Sequence, residues 1–197
     1  MTDWSQYLRD VLPYVPGCPE PVAEQSILRA AREFCTKARP WVVDLAGITI
    51  LDGVTAYPLV FPAQAELVRL ESAKAGSIDV AVTREQFAKC RVAAYTLDGK
   101  TLTVKPGLTA GTVLVVNASL KPSNAATQST DGLFDEFVEA IAAGAIAKLA
   151  SQPGKPYSNP GVAAQFVGEF DKAVGVTLTR LWRGRTAASP RTVANFF

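Results

Sequence analysis

The sequence offers few side chains that could carry out chemistry, and the absence of histidine sets the first limit. None of the 197 residues is histidine, which removes the usual general base, the commonest metal ligand and every Ser-His or Cys-His nucleophile. Cys18, Cys35 and Cys90 are spaced neither as a Cys-x-x-Cys redox pair nor as a zinc knuckle. We therefore predict that the three thiols are buried as small hydrophobic side chains, and that the chain uses no metal or cofactor.

One nucleotide-binding motif is formally present in residues 94–101, which read Ala-Tyr-Thr-Leu-Asp-Gly-Lys-Thr. A phosphate-binding loop follows a strand and opens a helix, so that loop amides and the helix N-terminus face the phosphates. Residues 101–104 instead continue in strand alternation, and Asp98-Gly99 is typical of a two-residue hairpin turn. The motif is therefore interpreted as a hairpin.

Carboxylates are the remaining candidates for acid–base chemistry, and they are densest at Asp135, Glu136 and Glu139. These residues lie near the start of a predicted helix, where negative charge complements the helix dipole. Nothing in the sequence places a pocket around them. We expect the protein not to be an enzyme.

Charge is distributed unevenly along the chain. Residues 1–171 contain 15 basic and 18 acidic residues, whereas five basic residues and no acidic residue follow Asp171. The basic end is either a solvated, partly disordered terminus or a recognition segment that orders on binding. Arginine suits carboxylate or phosphate surfaces, and a Phe-Phe pair can anchor in another subunit's pocket. The candidate binding residues of this arm are Arg183, Arg185, Arg191, Phe196 and Phe197.

Composition places the chain among globular proteins, with 48% hydrophobic and 19% charged residues. The longest apolar run, Phe137 to Ala150, is interrupted by Glu139 and Lys148, so we predict no membrane-spanning helix. The opening Met-Thr-Asp-Trp-Ser is unlike a signal peptide, and synthesis in the cytoplasm is expected.

Helical periodicity is clearest in residues 20–38, where Pro21 suits the first turn and Pro40 ends the helix. A shorter helix is predicted in residues 4–15. A stripe of apolar residues predicts another helix over 131–149. Asn159 is the predicted N-cap, and Pro160 the first residue, of a final helix.

Between these helices, residues 41–121 have the short alternating segments of strands. Asp52-Gly53 and Asp98-Gly99 predict tight hairpins, and residues 83–89 begin with the spacing of a capping box and predict a short helix. The predicted fold is α+β, a helical bundle from N-terminal and C-terminal helices plus a central antiparallel β region, with an extended C-terminal arm. The predicted segments are a helical segment 1–40, the β region 41–121, a linker 122–130, a helical hairpin 131–183 and the arm 184–197.

The order of these parts resembles the head-to-tail adaptor proteins of tailed bacteriophages, which sit beneath the portal. The resemblance covers most of the chain and depends on short phrases rather than on a chemical motif. These phrases are residues 7–21, the helix Ile27 to Phe34, Tyr57-Pro-Leu, Leu120-Lys-Pro122, Phe137 to Leu149, Pro153 to Tyr157, Asn159-Pro160 and Phe166 to Phe170.

The resemblance implies a ring of about twelve copies that docks on the portal through a C-terminal arm and supports the tail. The expected partners are the portal protein, neighbouring copies, a downstream tail or nozzle protein, and DNA that passes through the channel without sequence-specific binding. The expected location is the virion neck. Assigning the arm's arginines and phenylalanines to the portal contact is an inference from composition. The alternative function is a soluble module whose β region binds a peptide or glycan.

Overall fold

The computed structural model describes residues 1–82, 93–96, 98–104 and 107–185. Within them lie four α-helices: α1 Leu8–Val11, α2 Glu20–Ala38, α3 Asp131–Ala150 and α4 Pro160–Arg185. Short 3-10 helices, Trp4–Tyr7 and Leu12–Tyr14, flank α1, so the predicted helix over 4–15 is three short turns. The strands are β1 Thr2–Asp3, β2 Val42–Asp44, β3 Ile48–Thr49, β4 Ala56–Pro58, β5 Ala65–Ala75, β6 Ile78–Val82, β7 Ala93–Tyr95, β8 Thr101–Val104, β9 Val113–Pro122 and β10 Gln128–Ser129.

Local signals set the helix ends. Helix α2 has Pro21 in its first turn and ends where Arg39 takes a left-handed conformation (φ 54°, ψ 47°) before Pro40. At the start of α4, Oδ1 of Asn159 accepts hydrogen bonds from the amides of Gly161 (3.1 Å) and Val162 (3.2 Å). The prediction of 20–38 as a helix and of Asn159 as an N-cap is confirmed.

The long strands β5 and β9 pair antiparallel at the centre of a mixed sheet with the order β2-β9-β5-β6-β7-β8-β4, and β3 also pairs with β9. The sheet is curled into a half-barrel. Strand β3, which pairs with β9 near one end of the order, and β4 at the other end are joined by only residues 50–55. The Tyr57 hydroxyl closes this connection: it accepts from the Leu51 amide (3.0 Å) and donates to the Val54 carbonyl (2.9 Å). The small β1–β10 sheet is separate.

The predicted architecture is wrong in two respects. The sheet is not purely antiparallel, because β6 and β7 run parallel, with Ala81 opposite Ala93. The chain therefore leaves β6 and enters β7 in the same direction, whereas the prediction assumed that successive strands form hairpins. Asp52-Gly53 is a turn between strands with different partners, β3 with β9 and β4 with β8, and not a tight hairpin. The predicted helix over 83–89 lies outside the described residues.

The helices also do not form a self-contained bundle, which corrects the predicted fold class. Helix α2 packs on α3 and α4 and also on β9. Its Arg32 donates to the Pro122 carbonyl and to Glu66 (3.1 Å), and Arg39 donates to Glu71 (2.9 Å). The fold is therefore α+β, with a helical layer joined to a curled mixed sheet by half-buried polar contacts.

Each layer has its own hydrophobic core. The helical core collects buried side chains of α1 to α4, among them Phe34 and Ile141, and the sheet core fills the concave side of the curl with side chains such as Leu102 and Leu114. Trp41, directly after α2, packs against both cores. Gly144 lies where a Cβ would come within 2.7 Å of Phe170 and 3.1 Å of Ala30, so the helices pack closely at this glycine.

Candidate interaction surfaces

The thiols at Cys18 and Cys35 are buried, as predicted, and Cys90 lies outside the described residues. Burial raises the pKa of Cys35 to about 12 and also raises the pKa of Cys18. Both thiols are thus protonated near neutral pH and are poor nucleophiles. Among the described residues, no three His, Cys, Asp or Glu side chains are grouped to hold a metal ion.

The formal phosphate-loop motif belongs to a hairpin, as predicted, since β7 and β8 pair antiparallel around Gly99. The turn is longer than the predicted two residues, because β7 ends at Tyr95 and β8 begins at Thr101. Asp98 accepts hydrogen bonds from the amides of Thr101 (2.7 Å) and Lys100 (2.8 Å). These bonds hold the pKa of the Asp98 carboxyl well below its usual value, so Asp98 stabilises its own turn.

The carboxylates at the start of α3 are not gathered into an acid–base pair. Glu136 accepts from Arg180 of α4 at 3.1 Å, and both side chains are more than half exposed. Asp131, in the first turn, accepts from the Met1 amine and from Thr2, and these bonds lower the pKa of its carboxyl. Glu139 lines the cleft described below.

Two of the five predicted arm residues lie in the part of the chain that the structure describes. Arg183 and Arg185 belong to α4, which continues to Arg185, so the predicted extended arm from residue 184 begins at least two residues too early. Arg191, Phe196 and Phe197 lie outside the described residues.

A surface that the sequence did not predict is a groove between α3 and α4, which continues to the start of β2. Two adjoining clefts form this α3–α4 groove, with volumes of about 260 and 330 Å³. They share Glu136, Phe137, Thr177 and Arg180. The first cleft is lined in addition by Pro40, Trp41, Val42, Thr130, Gly132, Leu133 and Leu181, and the second by Glu139, Ala140, Ala143, Glu169, Ala173 and Val176.

Helix α3 departs from helical geometry at Phe137 (φ −129°, ψ 16°), in the middle of this groove. The Phe137 ring also packs on Phe34 of α2, with ring centroids 5.2 Å apart. The kink therefore lies where one side chain both contacts the helical core and lines the groove. The sequence did not predict the kink at Phe137, because the periodic spacing of apolar residues does not show where a helix bends.

A second surface is the outer face of the sheet at β9. Val113 and Val115 are 49% and 40% exposed, and they share a face because strand side chains alternate. Their cross-strand neighbours are Thr49 on β3 and Lys74 on β5. We call Val113 and Val115 the valine face. The sequence predicted the strand but not which of its faces stays uncovered.

No protein-family model matches the chain, and no curated protein matches it significantly. Any functional conclusion therefore depends on the residues and their geometry. None of the helices in the described part of the chain is long and apolar enough to cross a membrane.

Proposed function

We propose that this protein is a structural head-to-tail adaptor of a tailed bacteriophage. In this proposal about twelve copies form a ring on the portal, and the ring supports a downstream tail or nozzle protein. DNA passes through the ring without sequence-specific contacts. The proposal rests on the resemblance of the sequence phrases described above and on surfaces suited to self-association.

The valine face is the observation that carries the proposal. Two valines on one face of a long central strand leave adjacent apolar surface in water that a neighbouring copy can cover. Their neighbour Lys74 is 68% exposed at its side chain, so a polar group borders the apolar pair. An apolar centre with a polar rim is the common anatomy of a subunit contact.

The free edge of β2 adds a second surface for a neighbouring copy. The Leu45 amide donates to the Val116 carbonyl and the Leu120 amide to the Trp41 carbonyl, so Trp41 and Leu45 face β9. The main-chain groups of Val42 and Asp44 therefore point away from the sheet and can pair with another strand. At the other end of the sheet, β4 contains Pro58, which has no amide hydrogen to donate.

The test is the native mass of the purified chain, alone and mixed with portal rings from the same source, followed by particle imaging. We expect a complex near twelvefold stoichiometry. Val113→Thr with Val115→Thr keeps the side-chain shape and should weaken ring formation at least tenfold. Val167→Thr on α4, with the same 49% exposure, is the matched control and should form rings normally.

A chain that ignores the portal and remains monomeric would contradict the adaptor proposal and favour the peptide-binding or glycan-binding module. Rings that form equally well with the valine-face variant would show that the subunit contact lies elsewhere. For the portal contact, Arg191→Ala with Phe196→Ala and Phe197→Ala should fold normally and lose portal binding. Full binding by that variant would contradict a role for these three residues.

A further inference from the structure

The α3–α4 groove has the dimensions and the continuity of a site for a peptide segment. The volumes of the two clefts, about 260 and 330 Å³, lie close to the lower end of the range typical of small-molecule pockets, which is about 300 Å³. Because the clefts share four residues, they form one elongated depression along the two helices. Such a shape accommodates several side chains of one extended chain better than a single compact ligand.

The lining of the groove is apolar at its base and acidic at its rim. Phe137, Ala140 and Ala173 are half-buried, and Val176 is 61% exposed. Three glutamates, Glu136, Glu139 and Glu169, face one arginine, Arg180, which is bonded to Glu136. A segment that offers aromatic side chains and a positive charge is therefore complementary to the groove.

The chain itself contains such a segment immediately after the groove. Residues 186–197 include Arg191, Phe196 and Phe197 and no acidic residue. They follow α4, whose Leu181 lines the first cleft, so the segment starts at one end of the groove. Twelve extended residues reach about 40 Å, whereas α4 rises about 24 Å over the 16 residue-to-residue steps from Glu169 to Arg185.

We propose that residues 186–197 bind in the α3–α4 groove of the same chain, with the phenylalanines on its apolar base and Arg191 beside its glutamates. Tethering to α4 gives the segment an effective concentration in the millimolar range, so even a weak contact is populated. The inference does not depend on the adaptor proposal. If both hold, the groove and the portal compete for the same residues, and the segment leaves the groove when the ring docks.

The test uses a fluorescent peptide with the sequence of residues 186–197 and the full-length chain. In the wild-type chain the tethered segment should occupy the groove and exclude the peptide. In the variant Arg191→Glu with Phe196→Ala and Phe197→Ala, the groove should be free, and we expect peptide binding at least tenfold tighter than to wild type. Fluorescence anisotropy measures both affinities.

Variants of the groove locate the site. Adding Glu136→Gln and Glu139→Gln to the tail variant should weaken peptide binding about tenfold, because the rim loses two of its three carboxylates. Glu20→Gln, an exposed carboxylate outside the groove lining, is the matched control and should leave binding unchanged. Circular dichroism checks that each variant is folded.

Two results would overturn the proposal. Equal or undetectable peptide binding to wild type and tail variant would show that the groove does not hold this segment. If the wild-type mass rises with concentration and the tail variant stays monomeric, the segment binds a second copy, which contradicts binding within one chain. Neither measurement involves the portal. A failed test of portal binding therefore does not contradict binding of residues 186–197 in the groove.

Discussion

The two halves of α3 differ in what covers them. From Ile141 to Ala150 every residue is buried except Lys148, which is half-exposed, because this half is enclosed by the other helices of the layer. From Asp131 to Ala140 only Leu133 is buried, and Glu136 and Glu139 face solvent at the groove. One continuous helix thus serves the core with its second half and presents a surface with its first, and the kink at Phe137 lies near the boundary.

The largest expected effect of a single substitution is in the buried half. Ile141 is fully buried, and Ile141→Ala should lower the free energy of unfolding by about 2 to 5 kcal/mol, since it removes apolar contacts and leaves a cavity. Val138, three residues earlier and half-buried, is the comparison. Urea denaturation should give Val138→Ala less than half the loss of Ile141→Ala, and equal losses would contradict the division of the helix.

Glycine substitutions should change sign between the two halves. Gly144→Ala should destabilise the fold by about 1 to 3 kcal/mol, because the new Cβ meets Phe170 within 2.7 Å. At Gly132 no neighbouring atom lies within 4 Å of the place that a Cβ would take, so Gly132→Ala should stabilise by up to about 1 kcal/mol through helix propensity. Thermal unfolding of both variants tests the sign. Stabilisation by Gly144→Ala would show that the helices can move apart at no cost.

Local signals explain why the helices could be predicted and the sheet order could not. Pro21 and Pro40 bound α2, and Asn159 with Pro160 starts α4, and each acts within a few residues of the helix end that it sets. Strand pairing is decided by distant residues. Asp52-Gly53 has the composition of a hairpin turn, yet the strands on its two sides pair with β9 and β8.

The groove could not be predicted for the same reason. Its lining combines Trp41 from the segment after α2, Leu133 from α3 and Leu181 from α4, which meet only in the folded chain. The sequence did indicate the acidic start of α3 and the basic, aromatic end of the chain. The sequence carried no signal that a cleft lies beside the acidic start of α3.

A smaller effect is expected from the charges on the buried half. Burial raises the pKa of the Glu33 carboxyl, but hydrogen bonds from Lys148 and Lys37 outweigh it, and the net pKa is lowered from 4.5. A lowered pKa in the folded state contributes stability above the unfolded value, and that stability is lost as pH falls through the folded pKa. Glu33→Gln should therefore cost more stability at pH 7 than at pH 3, as measured by denaturant titration at each pH. A difference that grows on acidification would contradict this role.

The smallest effect on stability is expected at the exposed half, at the pair formed by Glu136 and Arg180. Their side chains are 52% and 69% exposed, and exposed ion pairs contribute about 0 to 1 kcal/mol because water screens them. Glu136→Gln should leave the unfolding midpoint nearly unchanged in the same denaturant titration. A loss comparable to that of Ile141→Ala would mean that this end of α3 belongs to the core. If Glu136→Gln leaves the stability unchanged but weakens peptide binding, the Glu136 carboxylate serves recognition and not folding. The first half of α3 would then be a binding surface, whereas the second half is part of the core.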